Sequence, residues 1–400
     1  MPLCKKYIED TYINNLIHYK YVGNNYSIYY NYFISPICNV IVQYLPKWLL
    51  PNTITAIGWL LNVLSLVLTT IYGGWKGTDY LPSWLCYLVS INYSLYIYLD
   101  SIDGKHARRI NASSPLGVLF DHGSDACTSF FISVIAGSLV YYDNINQYLF
   151  IYIPLTFTFF LNFIEEYYTG VLDLPIINGV EEGSIVASSL FFISGLFGAE
   201  LFNTKYNFFN KYDLKISEII GIVVLIGASS HCIKSFYDIK KKAKNCKTID
   251  IFKSTSIYIL HIVSLLTVVF LNDSIIVTKY PKVLLLAYGF QIATISGTIQ
   301  LSKIIKCPLY LYRPKFLIPL LIIILHSIIR YLFNFTLFIS IDLLIILAFI
   351  WDFMFWLHYV YFCSEEICEI LNINRFIPGK RYPSRPSYYE QNGLENVEIN

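Results

Sequence analysis

Ten runs of about twenty mostly apolar residues recur along this 400-residue chain, and they leave few folds open to it. A helix needs about 20 such residues to cross the hydrocarbon of a bilayer. The runs cover 53–73, 82–102, 117–140, 147–167, 184–202, 216–233, 255–271, 282–301, 316–333 and 341–361. With 56% hydrophobic and only 14% charged residues, the chain is expected to be an all-α integral membrane protein of about ten transmembrane helices. An even number puts both termini on one side. Lys105, Arg108 and Arg109, then Lys240, Lys241, Lys242, Lys244 and Lys247, then Lys303, Lys306, Arg313 and Lys315 all follow even-numbered spans. The positive-inside rule makes that side cytosolic, although Lys205, Lys211 and Lys215 lie opposite.

The remaining composition excludes more than it suggests. A net charge of +2 argues against nucleic acid as a partner. The 35 tyrosines reflect coding bias, although Tyr also suits membrane interfaces. Nine scattered cysteines without paired spacing read as small buried hydrophobes and a few exposed thiols, not as disulfides or a zinc site. No apolar stretch follows Met1–Lys6, so no cleaved signal peptide is visible. Ile34 to Leu50 is expected to form a helix lying in the interface, and the lysines at 240–247 to set topology or touch anionic lipid. His326, Arg330, Asp352 and His358 are expected to pair with one another inside the bundle.

Four aspartates interrupt this apolar pattern within 26 residues, as Asp100-x-x-Asp103-Gly104-x-x-Ala107-Arg108 and then Gly117-x-x-x-Asp121-x-x-x-Asp125. Isolated carboxylates near hydrocarbon are costly, so they need cations or strong partners. Asp100 and Asp103 share a face at a helix end. Ser113-Ser114-Pro115 looks like a helix start. Gly117, Asp121 and Asp125 then fall on one stripe of the next helix, drifting about 40° per step. Two carboxylate pairs joined by a short loop form a basket of the oxygen ligands that Mg²⁺ prefers. Two such ions can clamp a displacement at phosphorus, and Arg108 offers a donor fork for phosphate. Gly104 removes a side chain where a backbone must approach a ligand closely.

The pattern, with eight residues from Arg109 to Leu116 between its halves, resembles the signature of the CDP-alcohol phosphotransferases. The string Leu119-Phe120-Asp121-His122-Gly123-Ser124-Asp125 is similar to the eukaryotic choline/ethanolamine phosphotransferases. Pro51-Asn52-Thr53-Ile54-Thr55, Glu165-Glu166-Tyr167-Tyr168-Thr169-Gly170 and Asn178-Gly179-Val180-Glu181-Glu182-Gly183 resemble them too, except that Pro is expected at Val180.

The resemblance implies a CDP-alcohol phosphotransferase-like helical bundle that moves phosphocholine or phosphoethanolamine from CDP-choline or CDP-ethanolamine to diacylglycerol, releasing CMP. Asp100, Asp103, Asp121 and Asp125 would hold two Mg²⁺ or Mn²⁺ ions. Gly104, Ala107, Arg108 and Gly117 would cradle the nucleotide, with Asn52 either joining them or capping its helix. His122 is the attractive general base, since an imidazole suits neutral pH, and Asp125 is its rival. Glu165, Glu166, Tyr167, Tyr168 and Glu182, expected in one loop region, are the candidates for the head group. The expected division is an interfacial segment over 1–50, a catalytic core over 51–190, further helices for a lipid cavity or dimer support over 191–361, and a largely disordered tail over 362–400. The tail has a short helix near Ile367–Leu371. The family also implies endoplasmic reticulum or Golgi membranes and homodimers, although Val397–Asn400 is no retention signal, and the basic loops put the site on the cytosolic side. Two alternatives stay open: a CDP-diacylglycerol-dependent transferase making an acidic phospholipid, and a membrane cation transporter.

Overall fold

The computed structural model describes residues 6–208, 212–243, 246–333 and 339–376. Cys4, Lys211, Lys244 and the tail with Pro378, Pro383 and Pro386 lie outside the described residues. Ten long helices occupy the ten apolar runs. They are α1 (Pro51–Gly73), α2 (Ser83–Arg109), α3 (Pro115–Leu139), α4 (Ile145–Thr169) and α5 (Glu181–Phe197). The second five are α6 (Ile216–Lys242), α7 (Thr248–Leu271), α8 (Pro281–Ile305), α9 (Pro314–Phe333) and α10 (Ile341–His358). Seven of these, the last continuing to Leu371, are long and apolar enough to cross a membrane. The three outside that measure, α2, α3 and α5, carry the aspartates, His122, Glu181 and several serines.

Local chemistry sets the helix ends. The Ser114 hydroxyl accepts from Gly117 N–H at 3.2 Å, with Pro115 in the first turn of α3. Gly170, at φ 76°, ends α4 in the left-handed conformation. Pro319 inside α9 cannot bond back to Lys315, and the Trp351 indole N–H donates to that freed carbonyl at 3.0 Å.

Helices α3 and α8 form the centre, with α8 buried along nearly its whole length. Helix α1 packs on α2 and α3, α2 on α5, α4 on α6, and α8 on α3, α4 and α10. Close approach needs small residues and paired polar groups in such bundles. Ser90 and Ser94 of α2 bond Ser188 of α5, and Asn92 of α2 donates to Ser65 of α1 at 3.1 Å. At Gly289 of α8 a Cβ atom would enter the Phe130 ring. Gly289→Val should therefore destabilise the fold by about 1–3 kcal/mol through overpacking. An unchanged thermal unfolding midpoint in detergent would remove Gly289 from that role.

The N-terminal segment is not purely helical. Its Gly23–Asn25 (β1) pairs in parallel with Leu172–Leu174 (β2), just past α4, where Leu172 N–H donates to the Val22 carbonyl and Tyr26 N–H to the Leu174 carbonyl. Asp173 reinforces this: partial burial opposes its charge, but Lys242 at 2.6 Å and Asn24 hold its carboxyl below the usual range. The helix Ser35–Tyr44 leaves Ile37, Val40, Ile41 and Tyr44 exposed on one side.

The pairing expected among the late ionisable residues does not occur, because each meets a nearer partner. His326 bonds the Ile339 carbonyl at 2.8 Å, and Arg330 pairs with Asp273 at 3.4 Å. Asp352 accepts from Gln291 at 3.5 Å, and His358 bonds the Tyr7 hydroxyl at 2.7 Å. The eight described cysteines are free thiols.

Candidate active site

Asp100 and Asp103 leave the last turns of α2, and Gly117, Asp121 and Asp125 descend the first turns of α3. Asp100, Asp103 and Asp121 each offer one oxygen within 4.8 Å of the others. Asp103 accepts a hydrogen bond from Thr55 of α1. One carboxylate oxygen of Asp100 and one of Asp121 are buried without a hydrogen-bond partner. Asp125, one turn deeper, stands outside this triplet and accepts from the Tyr96 hydroxyl. Three carboxylates this close repel one another, and buried acceptors without donors are costly, so the arrangement fits a bound cation.

All four aspartates line one cavity of about 1680 Å³, together with His122, Asn52, Gly104, Ala107, Arg108 and Gly117. The expected loop after Asp103 is instead helix, since α2 runs on to Arg109. Three side chains fasten that extension. Lys105 donates to Ser35 and Asn39, His106 bonds the Leu49 carbonyl, and Arg109 donates to the Leu45 and Gln43 carbonyls. The Arg108 side chain, exposed at the mouth, makes no hydrogen bond or ion pair to another described residue. A Cβ atom at Gly104 would meet only that arginine's guanidinium within 4 Å, at 3.6 Å, so protein packing does not require the glycine. Asn52 does not cap its helix. It lies in the first turn, where its amide donates to the Arg375 carbonyl at 3.1 Å, while Leu50 takes the cap position.

His122 is buried beside the triplet, and its Nδ1 lies 3.4 Å from a Glu166 carboxylate oxygen and 2.8 Å from the Gln300 amide nitrogen. That Glu166 oxygen and the Gln300 amide oxygen are both buried without partners. A proton on Nδ1, with the Gln300 amide turned by 180°, answers both acceptors at once. Nε2 is then the basic nitrogen, and no described residue bonds it. The second Glu166 oxygen takes Lys303 Nζ at 2.7 Å, and Lys303 also donates to the Tyr19 hydroxyl at 2.6 Å. The Tyr21 ring stands edge-on to His122 with centroids 5.8 Å apart. On the other face of α3 lies a mostly apolar cavity of about 790 Å³, lined by Leu119, Gly123, Cys127, Trp59, Gly297 and Trp356 among others.

Comparison with known proteins decides the lineage of this site. A CDP-alcohol phosphatidyltransferase family model matches residues 48–193. "Cholinephosphotransferase 1" of Xenopus laevis is 30% identical, over 70% of this chain and 70% of the relative. The chain belongs to the CDP-alcohol phosphatidyltransferase family. "Choline/ethanolaminephosphotransferase 1" of Saccharomyces cerevisiae is 28% identical over 80% of this chain and 85% of its own. "Ethanolaminephosphotransferase 1" of Homo sapiens is 28% identical over 79% and 83%.

Within this family member, the expected head-group residues do not gather in a loop. Glu165 through Tyr168 belong to α4 and Glu182 to α5. Tyr167 and Tyr168 turn away, donating to the Cys307 and Asp250 carbonyls at 3.1 Å each. Glu165 approaches Lys234 at 3.9 Å. Glu182 accepts from the Ser27 hydroxyl and from the backbone N–H groups of Tyr29 and Asn178, which commits it to holding the N-terminal segment. Its neighbour Glu181 lines the cavity instead, as does Glu166. Val180, where Pro was expected, has φ −77°, and its N–H donates to Asn178 Oδ1 at 2.9 Å, a bond Pro lacks. Sequence reasoning missed Tyr19, Tyr21, Gln300 and Lys303. Lys303 had served only as a topology marker, and no motif links any of them to α3.

Proposed function

We propose that this enzyme transfers phosphocholine or phosphoethanolamine from CDP-choline or CDP-ethanolamine to the hydroxyl of diacylglycerol, releasing CMP. One observation carries this reading: an aspartate triplet with unpaired oxygens and a histidine backed by Glu166 face one cavity, while an apolar cavity opens across the same turn of α3. The substrates named for the relatives support it.

Mg²⁺ or Mn²⁺, two ions in number, would be held by Asp100, Asp103 and Asp121 with Asp125 beside them. Bound there, the ions offset the pyrophosphate charge and orient it. Arg108, Gly104, Ala107, Gly117 and Asn52 receive the CMP portion at the mouth. The apolar cavity, which shares no wall with the aspartate cavity, receives the acyl chains, and the acceptor hydroxyl passes the edge of α3 to reach His122. His122 Nε2 takes the hydroxyl proton as the oxygen attacks the β-phosphorus. The pyrophosphate P–O bond breaks, and CMP leaves. Glu166 stabilises the imidazolium formed, which favours His122 over Asp125, whose carboxylate is engaged by Tyr96.

Helices α2, α3 and α5 join the seven apolar ones as spans, which places both termini and the site on the cytosolic side of endoplasmic reticulum or Golgi membrane. Residues 51–190 act as the catalytic core, 1–50 as an interfacial segment over it, and 191–361 as the helices that complete the lipid cavity and support a homodimer. The test is purified protein in detergent with labelled CDP-choline or CDP-ethanolamine, diacylglycerol and Mg²⁺. CMP should appear in step with phospholipid, stop with chelator, and return with Mg²⁺ or Mn²⁺. No CMP from either nucleotide would defeat the reading, and release only from CDP-diacylglycerol would favour the acidic-phospholipid alternative.

A further inference from the structure

We propose that Glu181 anchors the cationic head group of the CDP-alcohol, in a compartment between α2, α3, α4 and α5; this rests on the reading given above. A cavity of about 550 Å³ lies there, walled by Tyr93, Tyr96, Phe159 and Glu181. It shares Asp100, Asp125, Phe159, Val180 and Glu181 with the large cavity, so the two adjoin at the aspartates. The nucleotide residues Gly104, Ala107 and Arg108 line only the large one. A CDP-alcohol seated with its pyrophosphate at the aspartates and its cytidine at the mouth therefore directs its alcohol inward, toward Glu181.

The chemistry of the compartment fits a small onium ion. Ammonium and trimethylammonium groups are bound by a carboxylate together with aromatic faces. The other acids near the site are already engaged: Glu165 by Lys234, Glu166 by His122 and Lys303, Glu182 by backbone N–H groups, and Asp125 by Tyr96. Glu181 is 6% exposed and accepts one hydrogen bond, from Asn25 Nδ2 at 2.7 Å. Among the described residues no basic side chain lies within 4.0 Å of it. A buried carboxylate without a cation is expensive to keep, and a cationic ligand would offset that cost. Asn25 sits on β1, so the docked N-terminal segment fixes the carboxylate's orientation. The two substrates use the compartment differently. A primary ammonium donates hydrogen bonds to Glu181, whereas a quaternary one cannot and depends more on the rings.

The experiment measures KM and kcat for CDP-choline and CDP-ethanolamine, and the inhibition constant of CMP, with full-length protein in detergent and Mg²⁺. Glu181→Gln should raise both KM values about tenfold or more, as expected for losing a charged partner, with CMP inhibition and kcat within about twofold of wild type. Phe159→Leu should raise KM for CDP-choline more than for CDP-ethanolamine. If Glu181→Gln fails to fold, Glu181→Asp, which withdraws the carboxylate by one methylene, must show the same KM rise. An active wild type whose Glu181 variants keep normal KM values, or lose CMP and CDP-alcohol affinity equally, overturns the head-group site. A wild type that releases no CMP overturns the reading on which it rests.

Discussion

CMP release by a His122→Ala variant should fall by roughly 10²- to 10⁴-fold, the usual worth of a positioned general base, while CDP-alcohol binding stays nearly unchanged. The split follows from geometry. His122 Nδ1 faces Glu166 and Gln300, and Gly104, Ala107 and Arg108, the residues proposed for the nucleotide, come from a different helix. Single-turnover CMP release and equilibrium binding, measured on the same preparation, separate the two effects. An equal loss of both would remove the histidine from the base role. Glu166→Gln is a less clean probe, because Glu166 also holds Lys303, and neutralising it leaves a buried cation short of its partner.

Asp121→Asn should cut turnover as severely and, unlike the histidine change, abolish the response to divalent cations. Its carboxylate sits within 4.8 Å of those of Asp100 and Asp103 and keeps a buried oxygen without a donor. A ligand that binds only the folded state raises stability by mass action, so Mg²⁺ should raise the melting temperature of the wild type and leave the variant unmoved. In chelator the order should reverse, with the variant melting higher, because one of three mutually repelling charges is gone. A variant that melts lower than wild type in chelator and still gains stability from Mg²⁺ would show that Asp121 is not a ligand.

What could be read from sequence followed the range of the forces involved. The ten apolar runs correspond to ten helices because hydrophobic length is local. The aspartate faces were legible because helical periodicity fixes which side chains meet within one turn or two. The course of α2 beyond Gly104 was not, because its extension is secured by carbonyls at Leu45 and Leu49 and by Ser35 and Asn39, a tertiary anchor. Gln300 and Lys303 were equally hidden, since an amide and an amine on an apolar helix carry no pattern pointing at α3 or α4. Glu181 and Glu182 show the finest limit. One residue of helical rotation sends one carboxylate to the cavity and the other to backbone N–H groups.

The partnership between His122 and Gln300 spans 178 residues of chain. During synthesis the aspartates and the histidine are therefore made long before α8 arrives to meet the imidazole. The Tyr7 and Ile8 N–H groups likewise wait for Glu366 of the helix Ser364–Leu371 before the N-terminal segment is pinned. A nascent chain halted after α5 would carry the whole aspartate motif and Glu166 yet lack Gln300 and Lys303, so this corner of the site closes only when α8 is added.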